Sequence, residues 1–131
     1  MNILAIDYGK KKIGLAIADV DLKIALPAGQ ISGSDNRIKR EKIIEIIKNK
    51  NIKKIIVGLP LGLNGEENEN TKSVREFMEK LQELNPIEVI FIDERFTSRE
   101  ADRLGVGGVS RDEKAAMLIL ESWLGKSRGT K

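Results

Sequence analysis

The chain has 131 residues, with 33% charged and 40% hydrophobic residues and a net charge of +3. That length suits one domain with a packed core rather than two domains or a disordered segment. It contains no cysteine and no histidine, which excludes disulfides, thiolate or imidazole metal sites and any histidine-based nucleophile relay. Chemistry here must come from carboxylates, hydroxyls, Lys, Arg or a hard cation. No apolar run approaches the ~20 residues of a membrane span, and Asp7 stands where a secretory signal needs apolar sequence, so a cytoplasmic protein with no membrane partner is expected.

Residues 2–7 and 12–18 read as strands joined by Tyr8–Lys11, with Gly9 as the turn residue of a hairpin. A third strand, roughly 23–31, contains Pro27, which suits a sheet edge. Over 36–50, Ile38, Ile43, Ile46 and Ile47 recur at helical spacing between charges. IKKIIVG, 52–58, is a short β-branched strand ending at Gly58 and Pro60. The polar stretch LGLNGEENEN follows, and then a helix to about Leu84 with Val74, Phe77, Met78 and Leu81 on one face. IEVIFI, 87–92, is the last strand. Thr97 with Glu100 has capping-box spacing for a short helix that Gly105, Gly107 and Gly108 break. Ser110 with Glu113 repeats that spacing and opens a last helix to about Leu124. Residues 1–124 thus form one domain, and 125–131 form a flexible basic tail.

Three strands with short links make an antiparallel meander, and the later strands alternate with helices and pair in parallel through right-handed crossovers. The expected product is an α/β domain, a mixed five-stranded sheet with helices on both faces. Such sheets place ligands at the carboxyl ends of their parallel strands.

Carboxylates stand where those ends should lie. Asp7 closes the first strand, Asp93 and Glu94 close the last, and Asp112 falls in the first turn of the final helix. Each alone reads as a turn or helix-start residue. Asp7 is different, because it continues a buried run, and burying a carboxylate is costly without a cation or strong partners. Most basic clusters read as solvated faces: Lys10–Lys12, then Arg37, Lys39, Arg40 and Lys42, then Lys48, Lys50, Lys53 and Lys54. Arg95, Arg99, Arg103, Arg111 and Lys114 instead surround the later acids.

IDYGKKKIGLA, IIVGLPLGLNG, DERFTSREA and DEKAAMLILESWL, in that order, resemble the YqgF/RuvX family of nucleases with an RNase H-like fold, over Met1 to Leu124. The resemblance implies strand order 3-2-1-4-5 and a metal-dependent hydrolase that cuts nucleic-acid phosphodiester bonds. Its expected work is processing the 5′ end of pre-16S ribosomal RNA, with a Holliday junction resolvase as the alternative. Matched by motif, the family's catalytic and metal-holding acids fall on Asp7, Glu94 and Asp112, with Mg²⁺ or Mn²⁺ as cofactor. Lys10, Lys11, Lys12, Arg95, Thr97, Ser98, Arg99 and Lys114 are the expected nucleic-acid contacts. The expected partner is structured precursor RNA in preference to branched DNA, bound by a monomer or weak homodimer. The segment LGVGGVSR before Asp112 is shorter and richer in glycine than the basic loop common in the family.

Three further expectations concern single residues. Gly58, between Asp7 and Glu94, leaves space for metal and substrate. Tyr8 packs or stacks on a base, and Phe96 and Trp123 belong to the core. Two rival readings share the fold: half of an actin-like or sugar-kinase-like ATPase, for which a second half is lacking, and a catalytically weak RNA-binding or transcription-associated protein.

Overall fold

The computed structural model describes residues 1–22, 24–94 and 109–129, with side chains described through Gly125. Its elements are β1 (Asn2–Tyr8), β2 (Lys12–Asp19), β3 (Ala25–Ser32), α1 (Asn36–Asn49), β4 (Ile52–Leu59), α2 (Glu69–Leu84), β5 (Glu88–Asp93) and α3 (Arg111–Gly129). The strands form one sheet in the order β3-β2-β1-β4-β5. β1 pairs antiparallel with β2, and β2 with β3, while β1–β4 and β4–β5 are parallel. This is the expected topology. Pro27 lies in the edge strand, where its missing N–H costs no ladder bond, opposite a register shift between Gly14 and Ala16.

Alternation along the strands splits the interior into two layers. Leu4 and Ile6 of β1, with Val57 of β4, pack against Ile43 and Ile47 of α1 and Val74, Phe77, Met78 and Leu81 of α2. Ile3 and Ala5 face the other way, with Ile56 of β4, onto Ala116, Ile119, Leu120 and Leu124 of α3. Helices therefore cover both faces.

The helix starts are built by side-chain caps. Asp35 accepts from the backbone N–H groups of Arg37 and Ile38 at the start of α1. Asn68 and Thr71 make a reciprocal box at the start of α2, and the Thr71 hydroxyl also donates to the Pro60 carbonyl, which ties α2 to the end of β4. The box expected at Ser110 and Glu113 is present at the start of α3.

Three local expectations change. In α1 the buried stripe is Lys39, Ile43 and Ile47, and Ile38 is exposed. Lys39 is therefore no solvated-face residue. Its stem fills the apolar stripe, and its Nζ donates to the Lys10 carbonyl at 2.7 Å and sits 5.5 Å from the centre of the Tyr8 ring. Burial lowers its ammonium below the ordinary lysine range, against an opposing pull from Asp35. α3 continues to Gly129 rather than ending near Leu124. The short helix expected after Thr97 lies outside the described residues.

Candidate active site

Asp7 is the next odd-numbered residue after Ile3 and Ala5, so it emerges on the α3 side of the sheet. Glu94 follows Ile90 and Ile92 of β5 at the same spacing and emerges on the same side. α3 lies across that side and carries Asp112 in its first turn. Three elements far apart in sequence thus deliver acids to one end of one face. Tyr8 points to the opposite layer, packed on Phe77 with ring centroids 4.8 Å apart, and its hydroxyl donates to Asn36 at 3.2 Å. Its role is packing.

Two glycines make the convergence possible. Gly14 of β2 pairs directly with Asp7. A Cβ there would lie 1.9 Å from the Asp112 carbonyl oxygen and 2.9 Å from the Asp112 Cβ. The backbone of α3 can rest on the sheet beside Asp7 only because Gly14 has no side chain. Gly58 of β4 lies one position beyond Val57, the partner of Ile6. A Cβ there would lie 2.6 Å from Glu94 Oε2 and 2.5 Å from Ile119 Cδ1. The space left by Gly58 is therefore taken by the Glu94 carboxyl itself and by α3. It is not the open space for metal and substrate that the sequence suggested.

The electrostatics follow from this crowding. Burial, then the negative charge of Glu94, a hydrogen bond shared with Glu94 and the charge of Asp112 push the Asp7 carboxyl up to about 8, against a smaller opposing pull from Arg111. Burial likewise raises Glu94; the bond with Asp7 lowers it, and the charge of Asp93 raises it further. The two carboxyls share a hydrogen bond, and their closeness opposes ionisation of both at once. Asp112 stands beside them within electrostatic range. Among the described residues, no three acidic side chains converge closely enough to enclose an ion as they stand.

Glu113 locks α3 in this position. Its Oε2 accepts from the Gly29 N–H of β3 at 2.8 Å, and its Oε1 accepts from the Ser110 N–H at 3.2 Å. Burial raises this carboxyl, but bonds from the Ser110 and Gly29 N–H groups and the Ser110 hydroxyl outweigh it and hold the group below its ordinary value. Gly14 was not selected from sequence, Arg111 was placed only among the bases around the later acids, and Glu113 only as a helix-opening cap. A glycine inside an apolar strand was the available signal for Gly14, since it marks close backbone approach.

Among the expected nucleic-acid contacts, Lys10, Lys11 and Lys12 are exposed around the β1–β2 turn. Lys114 is half-buried on α3. Arg95, Thr97, Ser98 and Arg99 lie outside the described residues, as does Phe96. Trp123 is partly buried in the α3 layer, with the Lys54 ammonium 4.8 Å from its ring centre. A cavity of about 360 Å³ opens between Tyr8, Lys10, Pro60, Ser73 and Glu94.

The family model described as "RuvX: Holliday junction resolvase" matches residues 1–126. A protein of Endomicrobium trichonymphae named "Putative pre-16S rRNA nuclease" is 37% identical over 132 residues, covering 94% of each chain. A protein of the same name from Maridesulfovibrio salexigens is 35% identical, covering 97% of this chain and 100% of its own. RuvC of Thermus thermophilus, solved with a Holliday junction substrate, superimposes with a TM-score of 0.66 at 14% identity, covering 99% of this chain and 97% of its own. That likeness establishes a shared fold.

Proposed function

Since the chain belongs to the RuvX family, we propose that it is a metal-dependent endonuclease that processes the 5′ end of the 16S ribosomal RNA precursor in the cytoplasm. The observation that carries this reading is the half-buried Asp7 carboxyl joined to Glu94 beside Asp112, on one face at the carboxyl ends of parallel strands. A carboxyl pair that retains a proton at neutral pH is a place where positive charge is favoured. Its donors are all hard oxygens, which fits Mg²⁺ or Mn²⁺ and no softer metal.

Asp7, Glu94 and Asp112 would hold the cation. When bound, it supplies Lewis-acid stabilisation of the scissile phosphate and acidifies an attacking water. The protein supplies the rest. Gly14 and Gly58 let the acids come together, and Glu113 fixes the helix that carries Asp112. Lys10, Lys11, Lys12 and Lys114 draw the phosphate backbone toward the acids, with Arg95, Thr97, Ser98 and Arg99 as further proposed contacts.

The description of the matching family favours a second substrate, a four-way DNA junction. Paired cuts in a junction call for two copies of the chain, whereas precursor trimming needs one. Cleavage of precursor 16S RNA, single-stranded RNA and a four-way DNA junction, in parallel with Mg²⁺ and Mn²⁺, decides the matter. Faster cleavage of the precursor at its 5′ end is expected. Faster resolution of the junction reassigns the substrate. Binding without any cleavage identifies an RNA-binding protein on a nuclease fold.

A further inference from the structure

The cavity beside Glu94 does not end there. It shares Tyr8, Lys10 and Ser73 with a second cavity of about 530 Å³, which continues over the α1/α2 layer to Arg40, Phe77 and Lys80. The two make one groove that leads from a candidate catalytic acid to a recess between α1 and α2, where Lys11, Arg40 and Lys80 outnumber the one acid, Glu76. Both volumes fall in the range of sites that hold small organic ligands, a scale closer to single nucleotides than to a duplex.

The recess is built. The Arg40 guanidinium lies over the ring of buried Phe77, 5.2 Å from its centre. Its Nε is buried and has no hydrogen-bond partner among the described residues. Arg40 is partly exposed and lines the recess, and a phosphate oxygen matches a guanidinium in geometry and charge. At the other end, Lys10 is fixed by its carbonyl, which receives the buried Lys39 ammonium at 2.7 Å. The turn that carries the lysines is thereby anchored to α1, the helix that carries Arg40. Lys80 is exposed on the opposite wall, on α2.

We propose that this groove holds the unpaired nucleotides flanking the cleaved bond, with the phosphate of a flanking nucleotide taken by Arg40 and Lys80. The proposal rests on the nuclease reading and narrows its substrate: the strand beside the cut must be single-stranded to enter. Tyr8 serves as wall rather than stacking platform, since Phe77 and the Lys39 ammonium already pack against its ring.

The test uses the full chain without divalent metal and a single-stranded 12-nucleotide RNA, with fluorescence anisotropy over a salt series. Arg40→Gln and Lys80→Gln are compared with Lys42→Gln, which removes an exposed α1 charge outside the groove. Removing one phosphate contact lowers the slope of log affinity against log salt by about 1. Each groove variant should lose about 1 from the slope and at least fivefold in affinity, and Lys42→Gln should lose neither. Lys80→Gln carries the test if Arg40→Gln folds poorly. Slopes equal to the parent's for a folded Lys80→Gln overturn the groove, whether or not the protein cleaves RNA. A parent that shows the groove-dependent slope yet cleaves nothing with Mn²⁺ retains the groove and refutes the nuclease reading. A fully paired substrate of the same sequence should lose the Lys80 effect; an unchanged effect on the duplex also overturns the proposal.

Discussion

Replacing Asp7 with Asn should stabilise the metal-free protein at pH 8 and do so about a third as much at pH 5. Folding raises the Asp7 carboxyl from 3.8 to about 8, chiefly by burial and by the neighbouring Glu94. Between those pH values the folded protein keeps a proton that the unfolded chain releases. Stability contributed by that proton is present near pH 4 and is lost as pH rises toward 8. Asn does not titrate, and its amide can donate to Glu94 in place of the shared proton. Each tenfold change in proton affinity is worth about 1.36 kcal/mol, so the whole interval sets a ceiling on the order of 5 kcal/mol. Asp7 is half-buried and shares its proton with Glu94, which brings the expected gain at pH 8 to on the order of 1–2 kcal/mol. For a domain of this size that is a rise of about 3–6 °C in Tm. Thermal unfolding in chelator-containing buffer at pH 5 and pH 8 reads it directly. A variant less stable than the parent at pH 8, or a shift of equal size at both pH values, refutes the carboxyl pair and leaves Asp7 a turn residue.

Gly14→Ala places a methyl 1.9 Å from the Asp112 carbonyl oxygen, and backbone must move to relieve it, so urea unfolding should show a loss of about 2–3 kcal/mol together with loss of cleavage. Gly58→Ala meets the ends of flexible side chains, Glu94 Oε2 and Ile119 Cδ1. Its stability loss should be near 1 kcal/mol, while single-turnover cleavage falls at least tenfold because Glu94 is displaced from Asp7. A Gly58→Ala enzyme with the parental rate contradicts that packing. Glu113→Ala removes the partner of the Gly29 and Ser110 N–H groups and should cost about 1 kcal/mol by chemical unfolding. The parent's share of that stability should fade as pH drops below the ordinary glutamate range, because folding lowers the Glu113 carboxyl. A pH-independent difference counts against the Glu113 bonds as its source.

Strand positions and directions were legible because β-branched runs mark the strands and short links and helical crossovers set how they pair, while the order 3-2-1-4-5 came with the family resemblance. Asp7 was legible for a related reason: a carboxylate at the end of a buried run has to be explained. Gly14 was visible as a residue but not as a contact, because its partner is the backbone of a helix nearly one hundred positions away. Lys39 was misplaced because a lysine counts as polar in any periodicity, although four methylenes of its side chain can fill an apolar stripe. Reading Ile38 as inward followed from the same error, since the true stripe runs 39, 43, 47. Asn68 escaped notice as a cap because it lies inside the polar stretch LGLNGEENEN, where several residues could open the helix.

The central claim is that Asp7, Glu94 and Asp112 act together as one cation-holding site for phosphodiester cleavage. Single-turnover cleavage of the 16S precursor with Mn²⁺, by the parent and by Asp7→Asn, Glu94→Gln and Asp112→Asn, tests it most directly. Each variant should lose at least a hundredfold in rate while binding the precursor as tightly as the parent without metal, and the double variant Asp7→Asn/Asp112→Asn should be no slower than the slower single one. Any of the three single variants cutting at the parental rate would contradict the account.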